Sequence, residues 1–252
     1  MKLQFIEPSW DAPNHVRALT TTRLGGVSLP PFDSLNLGEH VGDDKVHVIQ
    51  NRQLLGSSLE KIFNIPEGTF HPIWLRQEHT CEIAQDKHLD SEEIHVRPFD
   101  GMFTQRKNVV CTIMTADCLP VFICNQEGSE ISLVHAGWRG LADGIVEKAI
   151  NSFSVPAENL LVHCGPAISQ SNFEIGSEVK QQLGGSERCY QKSESKPNHY
   201  FADLYGLLKD KVEIMGASYS QSDYCTYADK DLFYSYRREG ATGRMVSLLW
   251  LE

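Results

Sequence analysis

TIMTADCLPVFICN, residues 112–125, holds two β-type runs broken by an acid and a thiol, Asp117 and Cys118. A third run, ISLVHA at 131–136, ends on His135 and continues into GWRG. Apolar runs of this length, bounded by turn residues, read as strands buried on both faces. The short links across 109–135 suit hairpins. Working outward, VRALTTTR (16–23), IWLRQEHT (73–80), NLLVHCG (159–165) and the closing RMVSLLWL (244–251) read as further strands. DDKVHVIQNRQLLGS (43–57) reads as a helix opened by acids, with Val46, Ile49 and Leu54 near one face. Residues 138–153 read as an amphipathic helix through Leu141, Ile145, Lys148 and Ala149, and 171–183 and 201–215 also read as helical. The polar stretch 184–200 reads as a surface loop inside the domain. The expectation is an α+β fold: one mixed α/β domain over 1–252, with largely antiparallel or mixed β-sheets flanked by helices.

Of the 252 residues, 41% are hydrophobic and 22% charged, the balance of a globular chain. The formal net charge is −10 and no basic stripe offsets it, so neither nucleic acid nor an anionic membrane is an expected partner. Small anionic ligands stay open, because a local arginine pair suffices to bind one. No apolar run approaches the roughly 20 residues needed to span a bilayer. MKLQFIEPSWDAPN is too short and polar in its apolar part for a secretory signal. With seven cysteines, an odd count, the reading is a cytoplasmic protein with reduced thiols, and a monomer is expected.

The ten histidines include no pair two residues apart, which argues against the repeated His-x-His of multicopper oxidases. TTRLGGVS lacks both the G-x-G-x-x-G and the G-K-[ST] phosphate loops, so its glycines read as turn residues. Cys118 with His135 has the makings of a nucleophile–base pair, and equally Cys118 reads as a core cysteine like Cys111 and Cys124. A third reading is zinc held by His79, Cys118 and His135, each at or near the end of a β-type run. No local spacing such as H-E-x-x-H selects among these. His163 and Cys164 are adjacent, so in a strand they point to opposite faces and cannot share an ion.

Seven segments narrow the choice: TTRLGGVS, LNLGEHVGDD, WLRQEHT, DGMFTQRKNVVCTIMTADCLPVFICN, VHAGWRGLADGIV, CGPAIS and YSYRREGATGRMVSLLWL. Together they resemble the laccase-domain family from about residue 16 to the C-terminus. Its members carry the names multicopper polyphenol oxidase, purine nucleoside phosphorylase and peptidoglycan editing factor. The resemblance implies a catalytic zinc on His79, Cys118 and His135. It also implies phosphorolysis of adenosine, inosine or methylthioadenosine with phosphate as co-substrate, and deamination of adenosine. Copper-dependent phenol oxidation and editing of peptidoglycan precursors are the alternatives attached to relatives. Where the family reads Q-V-H-G, this chain has Gln77-Glu78-His79-Thr80, a departure beside a ligand. A zinc ion with an open position lowers the pKa of bound water from about 16 to about 7, which suits deamination. Phosphorolysis needs anion binders, and Arg23, Arg139, Arg237 and Arg238 are the candidates. Asn36 is a candidate for contact with ribose or base, and Asp117 for orienting a ligand or carrying a proton.

Overall fold

The structure, a computed structural model, describes residues 3–107 and 109–252. Val110–Thr115, Leu119–Asn125 and Ile131–Ala136 are strands buried along their whole length, as their unbroken apolar runs require. They do not share one sheet. Among the described residues the strands, numbered along the chain, form three sheets. The first runs β1 (Phe5–Ile6), β2 (Val16–Thr21), β14 (Met245–Leu251), β6 (Val110–Thr115), β3 (Pro72–Ile73). The second runs β13 (Ser218–Gln221), β9 (Leu160–Cys164), β7 (Leu119–Asn125), β8 (Ile131–Ala136), β5 (Gly101–Thr104), β4 (Ile83–Ala84). The small third sheet joins β10 (Glu174–Gly176), β12 (His199–Ala202) and β11 (Tyr190–Lys192). Pairings β3·β6, β4·β5 and β9·β13 are parallel and the rest antiparallel, so this single α+β domain has mixed sheets.

The two larger sheets stack face to face. Cys111 and Ile113 of β6 and Leu249 and Leu251 of β14 meet Phe122 and Cys124 of β7 and Ile131 and Leu133 of β8. The outer face of the first sheet carries Leu248 and Trp250, covered by Leu55 and Leu59 of the helix Lys45–Ile62. The outer face of the second carries Val121, Val134 and Val162, covered by the helices Ile145–Ile150 and Leu204–Ile214. The result is a helix–sheet–sheet–helix stack in which alternate residues of each strand serve two different cores. No helix among the described residues is long and apolar enough to cross a membrane.

Several local expectations are corrected. β7 and β8 form the expected hairpin, but β6 and β7 belong to different sheets. Residues 116–118 therefore carry the chain from one layer to the other. Of IWLRQEHT only Ile73 pairs within a strand, and residues 74–80 are mostly loop. The 138–153 helix is two, Trp138–Ala142 and Ile145–Ile150, parted by Gly144 in the left-handed region (φ 88°). The 171–183 helix begins only at Ser177, after strand β10. The 201–215 helix begins at Leu204, capped by Asp203. The 184–200 loop contains β11 and the start of β12.

The helix over 43–57 is present, running Lys45–Ile62 from the Asp44 cap, but its buried face is the other one. Val46 is 57% and Ile49 50% exposed, while Val48, Leu55 and Leu59 are buried. Asn51 supplies the reason. Its side chain donates to Ser34 O, Asn36 O and Ser28 Oγ and accepts from Val27 N. Four bonds to the 27–36 loop are satisfied only when that face points inward.

Candidate metal centre

Strand alternation places His135 in the space between the two large sheets, on the pleat face of Ile131 and Leu133, at the open end of β8. Directly across, Asp100 precedes β5, whose Gly101 pairs with Val134. Asp100 is fully buried. Its Oδ1 accepts from His135 Nδ1 at 2.7 Å and from His79 N at 3.0 Å. Its Oδ2 accepts from Glu78 N (3.1 Å), Thr80 N (2.6 Å) and Thr80 Oγ1 (2.9 Å). One carboxylate therefore fixes the His135 ring and gathers the loop that carries His79, which is why that loop is not a strand. His79 takes a left-handed backbone, φ 59°, that turns consecutive amides onto one acceptor.

The third segment is the crossing between layers. Asp117 sits at φ 97°, a conformation aspartate tolerates better than most residues. Its carboxylate accepts from Thr226 Oγ1 (2.7 Å), Ser235 Oγ (3.0 Å) and Arg237 N (2.7 Å). This fastens the crossing to the 226–237 segment and sets Cys118 beside the two histidines. Gln77 braces the same place, bonding both the N–H and the C=O of Met114.

One donor atom from each of His79, Cys118 and His135 lies within 4.8 Å of the others. Cys118 Sγ is 3.9 Å from His79 Nε2. Around a tetrahedral zinc, bonds of about 2.3 Å to sulfur and 2.0–2.1 Å to nitrogen set these atoms about 3.6 Å apart. The residues fit such an ion with a small inward movement. With Nδ1 donating to Asp100, His135 turns Nε2 toward the thiol, the carboxylate–histidine arrangement common behind metal ligands. Gly137 leaves the space: a Cβ there would lie 2.7 Å from His79 Cδ2 and 3.2 Å from Cys118 Sγ.

The electrostatics separate Cys118 from the other buried thiols. Burial pushes Cys111 upward, helped by the Asp86 charge, and burial alone raises Cys164 and takes Cys124 to about 12. Burial also raises Cys118, but His135 and His79 outweigh it and hold its thiol well below the ordinary range. Burial lowers His135, and the Cys118 thiolate and Asp100 more than reverse that. Burial likewise raises Asp100, and the bonds from His135 and Thr80 bring its carboxyl below the ordinary range. Cys118 is thus tuned to the thiolate, the form that binds metals or attacks electrophiles.

The other expected site residues divide. Asn36 is fully buried, donating to Gly38 O and Asp43 Oδ2 and accepting from Gly38 N and Arg244 N. Arg23 bonds Asp33 O, Lys230 O and Glu239 and lies over the Tyr234 ring. Arg238 is spent on Thr226 O, Tyr227 O, Phe233 O and Glu239. All three are held by internal bonds. Arg237 makes one side-chain bond, to Glu174 O, over the Phe173 ring. Arg139 is exposed and stacks on Trp138. Asp100 was missed; its only sequence signal is its place in the DGMFT segment.

The sequence pattern of the family described as multi-copper polyphenol oxidoreductase laccase matches residues 17–252, and the chain belongs to that family. Within it, the chain is similar to proteins named purine nucleoside phosphorylase. The Escherichia coli K12 protein of that name, YfiH, is 39% identical over 98% of this chain and 99% of its own. One from Pseudomonas aeruginosa is 40% identical over 98% of each. Among solved structures, Neisseria meningitidis protein NMB0706 superposes with a TM-score of 0.87 at 35% identity, covering 98% of this chain and 99% of that one. These relatives are bacterial proteins with an enzyme's name, which supports an enzyme here.

Proposed function

We propose that the chain is a zinc-dependent purine nucleoside phosphorylase acting on adenosine, inosine or methylthioadenosine, and that the same site deaminates adenosine. One observation carries this reading: three segments far apart in sequence deliver two imidazoles and a low-pKa thiol to one point, with Asp100 behind them. The names of the similar proteins supply the substrate class. The mixed imidazole and thiolate donor set suits zinc. Copper-based phenol oxidation is less favoured, because a laccase uses several coppers and the described residues hold one cluster of three ligands.

His79, Cys118 and His135 would hold the ion, which would supply Lewis-acid polarisation at the site. In phosphorolysis a phosphate oxygen forms a bond to the ribose C1′ carbon, and the bond from that carbon to the purine nitrogen breaks. The purine leaves with the electron pair and takes up a proton. Asp100 holds His79 and His135 in place for this, and Asp117 holds Cys118; both are positioning residues. Arg139, four residues after His135, and Arg237, whose backbone N–H donates to Asp117 beside Cys118, have guanidiniums that lack carboxylate partners among the described residues and are the arginines assigned here to substrate contact.

Purified protein carrying about one zinc per chain is expected to release adenine from adenosine only when phosphate is present, with ribose 1-phosphate as co-product. Ammonia release reports the deaminase activity. Zinc-loaded protein that turns over no purine nucleoside, yet unfolds on chelation, refutes the reading in favour of a metal-stabilised scaffold.

A further inference from the structure

Arg244 is a cation for which the expected sites made no use. It stands immediately before β14, and the β14·β6 register pairs Met245 with Thr115. Extending that register by one residue sets Arg244 across from Ala116, two residues from Cys118. Its seat is elaborate. Its N–H donates to the buried Asn36 Oδ1 at 3.0 Å, and its C=O accepts from Leu37 N. Its stem lies against Gly38, where a Cβ would come within 2.9 Å of Arg244 Cγ. One terminal nitrogen donates to Thr242 O and Gly243 O. Among the described residues no carboxylate forms an ion pair with it, and its remaining N–H groups are not among the sealed, unpartnered atoms of the interior. Burial holds the Arg244 guanidinium below its ordinary value, and the negative charges of Cys118 and Asp117 partly offset that.

A half-buried guanidinium with no carboxylate, held beside a metal centre in a chain of net charge −10, is an anion receptor. We propose that Arg244 forms the subsite for inorganic phosphate beside the metal centre. The assignment rests on the phosphorolysis reading for its choice of anion. It also explains Asn36 and Gly38, which serve the ligand indirectly by seating Arg244.

The test is phosphate binding to the zinc-loaded protein by isothermal titration calorimetry, without nucleoside. Losing a charge-assisted pair weakens binding by about ten- to a hundredfold, so Arg244→Met should raise the phosphate dissociation constant by that factor. Arg244→Lys, which keeps the charge without the planar fork, should fall between. Gly38→Ala, with the guanidinium intact but its stem displaced, should also weaken binding. Zinc content by plasma mass spectrometry should stay at wild-type level in all three. Unchanged phosphate binding in Arg244→Met overturns the assignment, as does a loss confined to Arg139→Met or Arg237→Met, or wild-type protein that binds no phosphate. If the methionine variant does not fold, an unchanged constant in the lysine variant overturns it equally. Turnover is scored separately. A wild-type protein that binds phosphate through Arg244 but cleaves no nucleoside refutes the phosphorylase reading and leaves the subsite standing.

Discussion

Asp100→Asn tests the proposed support of the metal centre at its most connected atom pair. The substitution keeps the shape but turns one acceptor oxygen into an NH2 donor. If the NH2 replaces Oδ2, it faces the amides of Glu78 and Thr80 and strands both. If it replaces Oδ1, it strands the His79 amide and drives the His135 proton from Nδ1 to Nε2, the nitrogen that faces Cys118. At about 1–3 kcal/mol per stranded buried donor, two cost about 2–6 kcal/mol. That is a large share of an ordinary stability of about 5–15 kcal/mol. At about 2–4 °C per kcal/mol for chains of this size, Tm should fall by roughly 5–20 °C. Zinc affinity should fall about 10- to 100-fold through the misplaced proton and the freed His79 loop. The sign with pH comes from the lowered Asp100 carboxyl. Its stabilisation is fully present above the unfolded carboxylate value, about 3.9, and is lost as pH falls through the lower folded value. The gap between wild type and variant is therefore constant near neutrality and closes in acid. Melting by circular dichroism in excess chelator isolates the stability effect, and competition with a chromophoric chelator gives the affinity. An Asn variant that melts and binds zinc like wild type would refute the role given to Asp100.

His79→Ala, Cys118→Ala and His135→Ala should each abolish turnover and bound zinc while leaving the far-ultraviolet spectrum unchanged; full activity in zinc-free Cys118→Ala rules the ligand set out. Gly137→Ala fits its backbone (φ −65°) but puts a methyl against His79 and Cys118, so zinc affinity should drop about tenfold or more while Tm in chelator barely moves. In metal-free protein, Cys118 should be alkylated by iodoacetamide at a pH where Cys111, Cys124 and Cys164 are inert, because its thiol is lowered while theirs are raised; peptide mapping separates it from the half-buried Cys225, whose thiol is also lowered, and Cys118 labelling that begins only above about pH 8.5 contradicts this. On the helix Lys45–Ile62, Ile49→Lys should change stability by less than about 0.5 kcal/mol, whereas Leu55→Ala should cost about 2–5 kcal/mol, as read by urea denaturation.

The sequence by itself determined what is local. Unbroken apolar runs marked β6, β7, β8 and β14 as strands that must be covered on both faces, and interleaved helical segments made the class α+β. The placing of His79, Cys118 and His135 at or near the ends of β-type runs, read with the family resemblance, singled out the three metal-binding candidates. Tertiary structure decided the rest, because it depends on partners far along the chain. Only long-range pairing separates β6 from β7 into different sheets and turns the link between them into the wall of the site. Only the bonds of Asn51 choose which apolar stripe of the first long helix turns inward. Asp100 looks like any acid before a strand until five donors from two segments converge on it. Arginines are indistinguishable in sequence, and the fold separates Arg23 and Arg238, each ion-paired with Glu239, from Arg244, with which no carboxylate among the described residues forms an ion pair. Periodicity reports what a segment can bury, whereas the geometry of a site is set by which distant donors and acceptors must satisfy one another when water is excluded.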